Sequence, residues 1–149
     1  MSVTVGEVLN GIATELDATA GVKVVKRYSE LSEGVTSIDC PLIEVYPRRG
    51  TCDPGGNTDR TVFNAGVQQL FLYVHADLFA RPRSVLSDDM GELADMIDAI
   101  IDVLQSQERP PFFGVAGIKA FSWSWEIAIH VRGNSRYSGA RFVIVCRIF

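Results

Sequence analysis

Phe121-Ser122-Trp123-Ser124-Trp125-Glu126-Ile127-Ala128-Ile129-His130-Val131-Arg132 is followed by Gly133-Asn134-Ser135 and then by a second apolar run to Phe149. The first run puts a large apolar side chain at every odd position and a small or polar one at nearly every even position, the period of a β-strand. Gly133, Asn134 and Ser135 are turn residues. The return run, 137–149, carries Phe142, Ile144, Cys146 and Ile148 on one face. The two runs therefore read as one hairpin with arms of about 12 residues, or roughly 40 Å. A globule of 149 residues is itself about 40 Å across, so the hairpin either crosses the whole domain or sends its tip beyond it. The alternation assigns Trp123 and Trp125, with Phe121, Ile127 and Ile129, to the core rather than to a base-stacking platform.

Upstream, Pro110-Pro111 closes a helix expected over about 87–106. Ser87 is its expected N-cap, and Asp88 and Asp89 suit the positive end of the helix dipole. Met90, Leu93, Ile97, Ile100, Ile101 and Leu104 fall on one face, and Asp88, Glu92, Asp95 and Asp102 on the other. Residues 62–75 alternate with apolar side chains on nearly both faces, as in a central strand. Residues 41–47 form a strand fenced by Pro41 and Pro47. Between them, 48–57 has the Gly, Pro, Asn and Asp density of an exposed loop. Residues 29–40 are a polar connection and 22–28 a short strand. At the start, Thr4 and Glu7 make a capping box ahead of Val5, Val8, Leu9, Ile12 and Leu16, one apolar helical stripe, with Gly21 beyond its stop. The sum is an α+β fold: a single domain over 1–149, with a mostly antiparallel sheet, a long C-terminal hairpin and two packing helices.

Composition agrees. With 47% apolar and 21% charged residues, the chain is neither disordered nor fibrous. No apolar run nears the ~20 residues of a membrane span, so no membrane partner is expected. Residues 1–4 lack the basic and apolar regions of a secretory leader. Cys40, Cys52 and Cys146 form no CxxC pair and read as reduced thiols of a protein made in the cytoplasm. A net charge of −4 argues against tight binding to naked nucleic acid.

Catalytic patterns are missing. There is no GxSxG, P-loop, HExxH or GxGxxG after a strand, and His75 and His130 read as half-buried or surface strand residues. Asp53-Pro54-Gly55-Gly56-Asn57 precedes no helix that could help it hold an anion. Asp88, Glu92 and Asp95 could gather Mg²⁺ as nucleases do, but a solvated helix face has the same appearance. No cofactor, metal ligand or catalytic residue is therefore assigned, and an enzyme is not expected.

Charge distribution is more informative. Residues 84–108 hold seven acids and no base, so that segment carries −7 and leaves +3 for the remainder. Arg132, Arg136, Arg141 and Arg147 occupy the hairpin without an acid from 132 to 147, while Arg48, Arg49 and Arg60 bracket the loop. Either these are two solvated faces, or the protomer has an acidic and a basic side. In the second case copies attract head to tail and can close into a ring. The expected contacts are Arg48, Arg49, Arg60, Arg132, Arg136 and Arg141 against Asp88, Glu92, Asp95 and Asp102. An acidic channel lining would let DNA pass without sticking; the sequence leaves open which face lines it.

The element order completes the picture. An amphipathic N-terminal helix, a Pro-bounded strand, an Arg/Gly/Asp-rich loop with Thr51 and Asp59, a central strand, a helix near Ser87 and a closing hairpin together resemble the tail-terminator and tail-completion proteins of long-tailed bacteriophages. The resemblance covers almost the whole chain as an arrangement, without a diagnostic motif; head–tail stoppers share its size and composition. It implies a structural virion protein made in the host cytoplasm, forming a ring, usually a homohexamer. Such a ring caps the tail tube, ends its polymerisation, joins it to the head connector and lets DNA through. The alternatives are a small metal-dependent nuclease using the acidic helix, another neck protein such as a stopper, and a bacterial adaptor domain sharing the fold.

Overall fold

The computed structural model describes residues 3–27, 40–51, 70–82 and 86–148, with the backbone alone for 81–82 and 86–89. Helix α1 (Val5–Leu16) starts where the capping box places it. The Thr4 hydroxyl accepts from the Glu7 N–H at 3.2 Å, and the Glu7 carboxylate accepts from the Thr4 N–H at 2.7 Å. Its buried stripe is Val8, Leu9, Ile12, Ala13 and Leu16. Gly21, at φ +84°, turns the chain into β1 (Val24–Lys26). Then follow β2 (Leu42–Thr51), β3 (Leu70–Pro82), α2 (Leu86–Gln105), a 3₁₀ turn at Phe112–Gly114, β4 (Ile118–Arg132) and β5 (Ser135–Ile148). The strands form one sheet in the order β1-β2-β3-β5-β4, antiparallel except for β1 beside β2. Both helices pack on one face, where Leu93, Ile97, Ile100 and Leu104 of α2 share a core with Ile43, Val74, Leu78, Phe142 and Ile144. The α+β class and the long hairpin stand as the sequence implies.

Several boundaries differ. The strand expected to end at Pro47 runs on to Thr51, so Arg48, Arg49 and Gly50 are strand rather than loop. Pro47 is accommodated because β1 flanks only Leu42 to Glu44 and the register with β3 shifts between Pro47 and Arg49. The central strand is described from Leu70 and continues past His75, its expected end, to Pro82. Helix α2 begins at Leu86, so Ser87 lies inside it and is not its cap; the helix stops at Gln105. The first strand shortens to Val24–Lys26. Residues 28–39, 52–69 and 83–85 lie outside the described residues, and with them most of the polar connection, residues 52–57 of the expected loop, Asp59, Arg60, the first part of the 62–75 strand, Cys52 and Ser84. Of the other two cysteines, both are buried free thiols, and burial pushes Cys146 up to about 12.

The largest correction concerns β4. Its lower half is packed as expected: Phe121 meets Phe112 and Phe113 edge-on, and Trp123 lies half-buried against the core. Its upper half is not core. Trp125 is 43% exposed, Ile127 40%, Ile129 42% and Val131 56%. Their alternation correctly places them on the helix side of the sheet, but β4 is the outermost strand and the helices cover the inner ones. Periodicity identifies a face; it does not say that anything lies over it.

The hairpin crosses the sheet rather than leaving it, since β3 stays paired with β5 as far as Pro82 opposite Tyr137. Near this end the sheet bends. The β3–β5 register shifts between Phe79 and Arg81, and Gly139 sits opposite Phe79. A Cβ on Gly139 would be driven into the Leu78 carbonyl and would crowd His130 at 3.0 Å. Glycine is therefore required by close backbone approach, at the bulge where a sheet turns its corner. Gly139→Ala is expected to cost at least the 1–3 kcal/mol typical of overpacking, read as a lower urea midpoint, whereas Gly91→Ala on α2, with nothing within 4 Å of its added carbon, should leave the midpoint unchanged or raise it.

Candidate functional site

The bend has a measurable consequence on the face opposite the helices. Arg132 of β4 donates to Glu44 of β2 at 3.1 Å. These strands are separated by β3 and β5, which in a flat sheet would put them about 14 Å apart. Direct contact requires the sheet to curl toward this face. Inside the curl lie Cys40, Leu42, Phe79 and Tyr137, a small apolar cluster, and beside it a set of buried polar side chains on the face away from α1 and α2.

Asp77 of β3, 0% exposed, is the centre of that set. It accepts from the Tyr46 hydroxyl at 2.6 Å and from Arg141 at 2.9 Å (Nε to Oδ1) and 3.2 Å (Nη2 to Oδ2). The strand register delivers these partners, because Glu44, Asp77 and Arg141 face one another across β2, β3 and β5. The short bond to Asp77 takes the Tyr46 proton, so the Tyr46 oxygen accepts from Arg141 Nη2 at 3.4 Å and from the Nδ1 side of His75 at 3.3 Å. Burial, then the bond to Asp77, pushes Tyr46 up to about 12 and keeps it a phenol. The bond to Asp77 raises Arg141. With both Asp77 oxygens engaged, the cluster rivets three strands together instead of presenting a free base.

His75 and His130 are buried, not the surface or half-buried residues their strand setting suggests. His130 lies against the Phe79 ring at 4.4 Å, with Nε2 3.3 Å from the Ala140 carbonyl. Burial lowers both pKa values first. For His75 the next cause is the Arg141 charge; for His130, Asp77 partly opposes the shift. Glu44 keeps one carboxylate oxygen buried without a hydrogen bond.

The sheet divides the charged candidates between its two sides. Glu92, Asp95 and Asp102, together with Asp98, are exposed on α2, on the helix side. Asp88 lies in the first turn of α2 by its backbone. Arg49, Arg132 and Arg141 belong to the opposite face. Arg48 and Arg49 are exposed, Arg49 4.3 Å above the Tyr73 ring. Arg136 is exposed beside the hairpin turn, on the helix side by its register with Val131. Arg132 and Arg141 are committed to Glu44 and Asp77 of their own chain, and Arg60 lies outside the described residues. Sequence reasoning missed the Tyr46–Asp77–Arg141 cluster, although one signal was present: Glu44 and Asp77 are lone acids inside apolar strand runs. Among the described residues no three His, Cys, Asp or Glu side chains gather as a cation site, and no helix is long and apolar enough to cross a membrane. Neither a protein-family model nor a curated protein sequence matches this chain.

Two outcomes are expected. Arg141→Met strands the Asp77 carboxylate in the interior and should cost about 2–3 kcal/mol, the low end for a broken buried pair because Arg141 is a third exposed; Arg136→Met should stay within about 0.5 kcal/mol in the same urea titration. The histidines give a pH dependence. Their folded pKa values lie below the unfolded value of about 6.5, so the unfolded chain takes up protons first. The stability they contribute is present above about pH 6.5 and is lost as pH falls toward the folded values. The urea midpoint should therefore drop between pH 7 and pH 5, and His130→Gln should flatten that slope; an unchanged slope in the variant would refute the assignment.

Proposed function

We propose that this chain is a structural virion protein of the head–tail neck of a long-tailed bacteriophage, forming a ring that caps the tail tube and ends its growth. The observation that carries the reading is the segregation of charge by the sheet. The outward carboxylates of α2 stand on one side, with exposed Arg48 and Arg49 at the far end of β2. A protomer with two unlike sides makes heterologous contacts, and such contacts close into rings where the rotation permits. Arginine suits the basic side because its planar fork pairs with carboxylates. The element order of the terminator and completion proteins supports the same role.

In this reading the partners are further copies of the chain in a homohexamer, the tail-tube protein below and the head-connector or stopper protein above. DNA crosses the centre without sequence-specific contact, repelled by whatever carboxylates line the opening. The fit between copies rests on Arg48 and Arg49 more than on Arg132 and Arg141, whose carboxylate partners are internal, or on Arg136, which shares the helix side with the acids.

Electron microscopy of the protein mixed with tail tubes tests the role, with capped tubes of limited length as the expected result. Asp95→Arg should reduce capping several-fold, and raising salt should weaken the unmodified protein in the same direction, because exposed pairs are screened within about 10 Å at 0.1 M. Capping that ignores both changes would remove the electrostatic contact. Incubation with DNA and Mg²⁺ or Mn²⁺ should leave the DNA intact; cleavage would replace this reading by the nuclease.

A further inference from the structure

The upper half of β4 combines two kinds of unmet surface. Trp125, Ile127, Ile129 and Val131 form a continuous apolar row beyond the reach of the helices. The same segment is the outer edge of the sheet, with no strand beside it among the described residues. In a two-residue hairpin the residues flanking the turn exchange both backbone bonds, here Arg132 with Ser135. Counting back from Arg132, even-numbered residues bond to β5, and odd-numbered residues aim N–H and C=O at the open edge. The Val131 carbonyl accordingly accepts from its neighbour's guanidinium, Arg132 Nη1, at 3.1 Å.

Lone proteins blunt such edges with prolines, lysines, short strands or a covering loop. The opposite edge, β1, is blunted by its three-residue length. From Ala120 to Val131, β4 has no proline and no lysine; its one charge there, Glu126, projects from the other face. A matching occupant offers an equally long open edge, an apolar row on the same side, and a cation beside Glu126, whose own cross-strand neighbour Arg141 is already bonded to Asp77. A second copy of β4 offers all three.

We infer that two copies of this chain pair through their β4 edges, antiparallel about a two-fold axis at Ile129. In that register Ile129 faces its own copy, Ile127 faces Val131, and Ala128 faces His130. Glu126 faces Arg132 at both ends of the contact. The two rows of Trp125, Ile127, Ile129 and Val131 become adjacent and shield one another, and cross-strand apolar and opposite-charge pairs of this kind favour pairing. Arg132 has donors left after its bonds to Glu44 and to the Val131 carbonyl, so it can bridge the Glu44 carboxylate and the partner's Glu126. A register centred on Glu126 would set like charges face to face and is disfavoured. The result is a ten-stranded sheet across two protomers. It is an isologous contact, separate from the heterologous contacts of the ring, and it stands or falls without the neck reading.

Sedimentation velocity of the full chain over a concentration series is the test. The unmodified protein should dimerise, and in a Trp123→Phe background the Trp125 emission should shift to the blue with the same midpoint. Ile129→Lys should move the dissociation midpoint upward by at least about tenfold, equivalent to about 1.4 kcal/mol, while leaving the urea midpoint of the monomer unchanged. Ile129→Cys should cross-link to itself under mild oxidation, faster than Ile127→Cys and than the unmodified chain. A monomer at every concentration, an oligomer indifferent to Ile129→Lys, or cross-linking favoured at position 127 would each overturn the inference.

Discussion

The curl of the sheet is the constraint on which the rest depends. A single bulge in β3 and a glycine opposite it let the backbone approach closely enough to bend, and the bend brings an outer strand within reach of one three places away. Without that closure the face away from the helices would be an open polar surface. With it, Phe79, Tyr137 and Leu42 gain a small core of their own, and Asp77 becomes buried. A buried carboxylate is tolerable only when its charge is met, and Arg141 and Tyr46 meet it from the strands on either side. Backbone geometry and electrostatics here are one requirement. The bend creates the enclosure, and the ion pairs make the enclosure affordable.

The sequence exposed the class of the fold because its signals are local. A capping box, two helical apolar stripes and an alternating hairpin each report on a dozen neighbouring residues, and each formed where expected. Strand limits were less legible, since β2 passes through Pro47 by a register shift with β3, beyond the residues that pair with β1. The hidden part was non-local. Alternation along β4 is identical for an inner and an outer strand, so Trp125, Ile127 and Ile129 read as core until the strand order was known. The Asp77 cluster joins residues from three separate strands, and only the register reveals that Glu44, Asp77 and Arg141 stand side by side. The acidic row of α2 was legible because it is again local.

The two sides of the sheet carry different chemistry for different physical reasons. On the helix side, Glu92, Asp95, Asp98 and Asp102 are exposed because α2 buries its other face against the sheet. On the curled side, two arginines are consumed in holding the curl, and those free to meet a partner lie further along β2. Surface charge totals therefore overstate the basic side. An assembly contact built on charge draws on Arg48 and Arg49, while the hairpin contributes shape and an open edge.

The strand order carries a consequence for how the molecule is made. The last strand described, β5, is not added at a margin but inserted between β3 and β4, and among the described residues β4 has no other neighbour. A nascent chain emerging from the ribosome can form its first helix early, yet this sheet stays in two unjoined pieces until β5 is free. Completion of the sheet thus waits for β5, whose pairing with β3 reaches back 55 residues (Tyr137 to Pro82) to 78 residues (Ile148 to Leu70), and such long-range pairing makes acquisition of the native state comparatively slow. Throughout that interval the Trp-rich segment is displayed without its hydrogen-bonding companion, so any factor that guards newborn chains would meet this protein there first.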